Sequence, residues 1–135
     1  MRIRAGFVSN SSSTSFLIIT KRDLNKKDFF ELMGVEPGSA MAELFAEFYR
    51  DVVENARETV DFKLAGRKRA VEDFFDSDRL SARMIEKLKD AQRRGLKAYY
   101  GSLSSENNDI QTFFCMDSFE VENEKIYFNG LECVW

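Results

Sequence analysis

The sequence predicts an α+β fold: a mixed or antiparallel sheet, built from an N-terminal central strand and a C-terminal meander, covered on one side by three to four helices. Three observations predict it. Phe16-Leu17-Ile18-Ile19 is an apolar run without polar alternation, as in a strand buried on both faces. Residues 41–56 carry one apolar stripe at helical spacing. Beyond residue 96 the pattern changes to short segments bounded by turn residues. At 135 residues the chain has the length of a single domain, and no repeat or linker divides 1–135.

The elements follow in order. In Ser9-Asn10-Ser11-Ser12-Ser13-Thr14-Ser15 small hydroxyl side chains compete for backbone hydrogen bonds, so this stretch reads as a turn or loop ahead of the strand. Asn25, with Asp28 three residues on, forms an N-cap pattern. Phe29, Phe30 and Met33 then supply a buried face, and Gly34 ends that short helix. Pro37-Gly38-Ser39 starts a longer helix, whose stripe is Met41, Phe45, Phe48, Val52 and Ala56. At Gly66 two readings stay open, a helix break or a bend that runs on through Ala70, Val71, Phe74 and Phe75. A further helix starts near Ser77 or Asp78 and carries Leu80, Met84, Leu88 and Ala91 inward. Arg93, Arg94 and Gly95 mark its end.

Residues 96–101 read as a strand, and Ser104 or Ser105 as the cap of a short helix bearing Ile110, Phe113 and Phe114. Phe119 and Val121 alternate with Glu120 and Glu122, and Asn123-Glu124-Lys125 turns the chain into Ile126-Tyr127-Phe128. Asn129-Gly130 is a hairpin signal leading to Leu131, Cys133 and Trp135, which completes the expected meander.

Composition narrows the function classes. Apolar residues at 44% and charged residues at 32% are those of a globular chain rather than a disordered one. Thirteen phenylalanines point to a Phe-built core. Histidine is absent, which removes Ser-His-Asp and Cys-His catalysis and His-ligated metals. The net charge of −3 gives no electrostatic footprint for nucleic acid or an anionic membrane. No apolar run approaches the ~20 residues of a membrane span, and the first residues do not form a signal peptide. Two cysteines, Cys115 and Cys133, are too few for a disulfide framework, so buried free thiols and a cytoplasmic location are expected.

The opening Arg4-Ala5-Gly6-Phe7-Val8-Ser9-Asn10-Ser11-Ser12-Ser13-Thr14-Ser15-Phe16 resembles a motif, a basic residue followed by x-Gly-Phe-Val-Ser-Asn, a serine run and Phe, that begins many small uncharacterised bacterial, archaeal and phage proteins. Thr14 replaces one serine. The resemblance covers about the first sixteen residues, implies no activity and carries no catalytic residue onto this chain.

The residues themselves suggest a few candidate sites. Arg4 with the hydroxyls and backbone of Ser9, Asn10, Ser11, Ser12 and Ser13 is a candidate anion site; the same tract also reads as a structural loop or as a processing or modification tag. It lacks the Gly-Lys-Ser/Thr ending of a phosphate loop. Tyr99, Tyr100 and Ser102 are a candidate pocket beside that loop, provided the two strands are neighbours. Arg67-Lys68-Arg69 reads as a solvated helix end; Asp73, Asp76 and Asp78 read as helix-end caps; Glu120, Glu122 and Glu124 read as a row on an exposed sheet face. The expected function is a non-enzymatic module that binds a protein partner or a second copy of itself, with no cofactor, no metal, no nucleic acid and no membrane. The alternatives are a protein or enzyme that handles a phosphorylated or anionic small molecule, and a protein whose serine tract is cut or modified.

Overall fold

The computed structural model describes residues 13–75, 80–115 and 118–134. In chain order the elements are β1 (Ser13–Thr20), α1 (Lys26–Met33), α2 (Ala42–Asn55), β2 (Glu58–Asp61), α3 (Phe62–Ala65), a 3-10 turn (Val71–Phe74), α4 (Ala82–Arg94), β3 (Lys97–Ser104), α5 (Asp109–Phe114), β4 (Phe119–Glu122) and β5 (Ile126–Val134). The strands form one antiparallel sheet in the order β2-β3-β1-β5-β4. The fold is α+β, as the sequence predicts.

β1 lies in the middle of the sheet, paired with β3 along one side and β5 along the other. Phe16, Leu17, Ile18 and Ile19 are all buried, and their alternation sends Phe16 and Ile18 to one face and Leu17 and Ile19 to the other. Helical coverage is therefore two-sided, which corrects the expected one-sided cover. α1, α2 and α5 close the Phe16–Ile18 face with Phe29, Phe30, Phe48, Val52 and Ile110. α3, the 3-10 turn and α4 close the opposite face with Phe62, Val71, Met84, Leu88 and Ala91. A strand with apolar side chains on both faces needs a layer on each, because either face left in water would forfeit about 1.5–3 kcal/mol per large side chain.

The first layer is where the phenylalanines concentrate. The Phe128 ring meets Phe16 edge-on at 6.1 Å, Phe119 edge-on at 4.9 Å and Phe29 at 5.8 Å, while Phe48 stacks on Phe114 at 3.9 Å. α1 begins as its sequence pattern requires. The Asn25 side-chain oxygen accepts from the Asp28 N–H at 2.8 Å, and Gly34 ends the helix at φ 71°. The Asp28 carboxylate is buried and takes both arms of the Arg22 guanidinium, at 2.9 and 3.0 Å, and the Asn25 amide at 2.9 Å.

Several sequence expectations change in the folded chain. Ser13, Thr14 and Ser15 belong to β1 instead of a loop: partners on both sides satisfy their backbone groups, and ladder pairing outweighs the local preference of small hydroxyl residues. Met41 stands just before α2 and is half exposed, so the inward stripe is Phe45, Phe48, Val52 and Ala56. β2 was not expected. It is four residues long, sits at the sheet edge and pairs only with β3. The helix at Gly66 breaks rather than bends, with Gly66 at φ 80°. Ser81 caps α4, its side chain accepting from the Met84 N–H; Ser77 and Asp78 lie outside the described residues. β3 runs on to Ser104, and Asn108 rather than a serine accepts from the first turn of α5, at the Gln111 N–H.

Asn129-Gly130 makes no hairpin. β5 runs through it as one strand with a register shift opposite Ser15 and Leu17, so the expected three-strand meander is a β4–β5 hairpin turned at Asn123. Gly130 has no left-handed φ. A Cβ there would lie 2.4 Å from the Phe119 ring, so the glycine is needed for ring packing rather than for turning. Gly101 is constrained in the same way: a Cβ would stand 1.8 Å from the Asn55 carbonyl oxygen at the end of α2.

Two outcomes test this packing. Gly101→Ala is expected to lower the free energy of urea unfolding by about 1–3 kcal/mol through overpacking against backbone, and an unchanged midpoint would contradict the close approach. Asp28 is held at about 2, below its ordinary 3.8, chiefly by the Arg22 hydrogen bond. A folded-state value below the unfolded one gives stability that is present above about pH 4 and lost as pH falls through about 2. Asp28→Asn should flatten the decline of unfolding free energy over that window, and a decline as steep as in the parent chain would refute this role.

Candidate functional site

Of the candidate anion residues, Arg4, Ser9, Asn10, Ser11 and Ser12 lie outside the described residues, and Ser13 opens β1 opposite Ser104 and Val134. β1 and β3 are neighbours, and Ser102 stands across from Ser15. Strand alternation nevertheless separates the two tyrosines. Tyr99 joins the α1–α2 layer, where its hydroxyl accepts from the Leu24 N–H at 3.2 Å. Tyr100 faces the α4 layer, 5.7 Å from the Phe75 ring. Tyr99 and Tyr100 therefore do not line one pocket together.

The densest polar cluster joins α4 to the β4–β5 hairpin. The Tyr127 hydroxyl donates to the Glu120 carboxylate and accepts from the Asn129 amide at 2.7 Å, and Arg83 Nε donates to Glu120 at 2.8 Å. The Lys87 ammonium sits 3.7 Å from Glu122 and 4.6 Å from the centre of the Tyr127 ring. The Tyr127 hydrogen bond, then the Arg83 bond, hold the Glu120 carboxyl below the usual carboxylate range. Burial, then the same Glu120 contact, raises the Tyr127 phenol well above its ordinary value. Glu120 and Glu122 thus face cations on α4 instead of forming a bare acidic row. The arrangement ties an edge strand to a helix, with each charge already engaged.

Both arginines of the basic run are engaged as well. Arg67 donates to the Arg93 carbonyl at the end of α4, and Arg69 reaches the Asp73 carbonyl and lies over the Phe74 ring at 4.6 Å. Cys115 is buried in the first layer, and Asp76 and Asp78 lie outside the described residues. Among the described residues no three carboxylate or thiol side chains are grouped to hold a metal ion, and no helix is long and apolar enough to cross a membrane.

The outer face of the α1–α2 pair is different. α2 carries two apolar stripes. One is the inward stripe that runs through Phe48 and Val52. The other is Ala42, Ala46, Tyr49 and Val53, at steps of four, three and four, and it turns sideways toward α1. Two adjoining hollows of about 600 and 530 Å³ lie along this second stripe and share Lys26 and Ala46. Leu24, Phe30, Val35 and Pro37 line the opposite wall. Tyr49 is fixed by donating to the Leu24 carbonyl at 3.3 Å. Met41, Leu44 and Val53 are 49%, 40% and 45% exposed, so three of the four most exposed large apolar side chains among the described residues lie on or next to α2.

Ion pairs occur on both helical layers. Arg22, Arg83, Lys87, Arg93, Arg94, Lys97 and Lys125 all stand in ion pairs. At the groove, Lys26 and Lys27 on α1 and Glu43, Arg50 and Glu54 on α2 are exposed, and among the described residues none of them has an ion-pair partner. The site is an apolar trough with unpaired charged rims.

Comparison with protein-family models, curated proteins and solved structures finds no match.

The polar cluster on α4 is expected to stabilise the fold. Tyr127→Phe leaves the buried Asn129 amide without its acceptor, and urea unfolding should show a loss of about 1–3 kcal/mol. A variant as stable as the parent chain would contradict this structural role.

Proposed function

We propose that this protein works as a protein-binding module and that the α1–α2 groove is its contact surface. The observation that carries this reading is the trough itself: apolar along its floor, bordered by charged side chains without ion-pair partners among the described residues, with exposed Val53 in its lining. Protein interfaces combine a desolvated apolar centre with a polar rim, and an apolar hollow open to solvent favours contact with another chain. Small residues at Ala42 and Ala46 let a partner's side chains approach the helix backbone, and Tyr49, held by Leu24, offers a rigid aromatic wall. A mostly apolar lining suits recognition by contact.

Photo-crosslinking in the native host tests it. A benzoylphenylalanine at Val53 is expected to give a discrete protein adduct that Ala46→Glu abolishes. The same probe at exposed Lys89, on α4, should give none. Equal adducts at both positions, or none at Val53, would overturn the assignment.

A further inference from the structure

The occupant of this groove follows from its rims, on the reading that the groove is a protein contact. The α1 rim presents Lys26 and Lys27 as its charges without ion-pair partners, whereas Glu31 on the same helix is already paired with Lys125 at 2.8 Å. The α2 rim presents Glu43, Arg50 and Glu54, net acidic, and exposed Glu47 continues the same line of the helix outside the lining, at spacings of four, three and four. One wall is thus basic and the other acidic, and the surface is complementary to itself.

We infer that the partner is a second copy of this chain, joined through a two-fold axis that runs along the groove. Two identical surfaces can meet face to face in two simple ways. An axis across the groove lays α1 on α1 and α2 on α2, which sets Lys26 and Lys27 against the same lysines and glutamates against glutamates. An axis along the groove lays α1 of each copy over α2 of the other, so that lysines meet glutamates on both sides and Ala42 and Ala46 face their counterparts across a small-residue centre. Like charges brought together on desolvation disfavour the first arrangement, and opposite charges select the second. Arg50 lies within the acidic line and weakens it without reversing its sign. Charges at the rim act mainly on encounter and register, so the association is salt-dependent.

Sedimentation velocity on the full chain, with circular dichroism to confirm folding, tests this. The parent chain is expected to form a dimer that dissociates as salt rises. Lys26→Glu with Lys27→Glu, and separately Glu43→Lys with Glu54→Lys, should each weaken the dimer by about tenfold or more, because each places like charges across both contacts. Mixing the two variants in equal amounts should restore a dimer, since the reversed α1 of one then faces the reversed α2 of the other. A parent chain that stays monomeric across the accessible concentration range would overturn this inference. So would reversal variants that dimerise as well as the parent, the result for the crossed axis. If the Val53 adduct in the native host then proved to be a different protein, the groove would remain a contact surface with another occupant. Absence of any adduct would remove both readings.

Discussion

β1 has no free edge and no free face, and the rest of the fold answers that constraint. Its backbone needs β3 and β5 as partners, and its side chains need a layer on each side of the sheet. The chain path supplies both. After β1 it lays α1 and α2 over the first face, reaches the edge through β2, and crosses to the second face with α3 and α4. It then returns through β3, passes α5 on the first side and finishes with the β4–β5 hairpin. With both edges and both faces committed, the centre of this sheet has no free surface for a ligand. Exposed chemistry is displaced to the outer faces of the helices.

The two layers are sealed differently. On the α4 side, ion pairs fasten the helix to the sheet edge through Arg83 with Glu120 and Lys87 with Glu122. On the α1–α2 side the seal is aromatic. Phe29, Phe48 and Phe128 form one interlocked group, and α1 is tied at Asp28 and Glu31 by Arg22 and Lys125, with Asp28 buried and Arg22 exposed. The trough borders that layer on its outer side, where Lys26, Lys27, Glu43 and Glu54 stand without ion-pair partners among the described residues.

Much of the architecture was legible from residue order. The central strand showed in its lack of alternation, α1 in Asn25, Asp28 and Gly34, and the end of α4 in Arg93, Arg94 and Gly95. Elements set by distant partners were less legible. β2 has one fully aliphatic residue, Val60, and exists because β3 offers it an edge. Ser13, Thr14 and Ser15 join β1 because β3 and β5 are long enough to hold them. Asn129-Gly130, a strong turn signal locally, becomes a shift in a continuous strand because Phe119 occupies the space beside Gly130. The groove is faint in the sequence for a related reason. Phe45, Phe48 and Val52 dominated the reading of α2, while Ala42, Ala46, Tyr49 and Val53, a parallel line at the same helical spacing, carried the clue to a second face. Tyr99 and Tyr100 are adjacent in sequence but, as neighbours in a strand, look in opposite directions.

Native-state hydrogen exchange, followed residue by residue in dilute and in concentrated protein, tests the account most directly. Amides of Phe16, Leu17, Ile18 and Ile19 should be the slowest at both concentrations, exchanging only through global unfolding, and any slowing with concentration should be confined to α1 and α2. Fast exchange in β1, or slowing spread evenly over both helical layers, would contradict a molecule built around a fully enclosed strand and joined to its partner through one face.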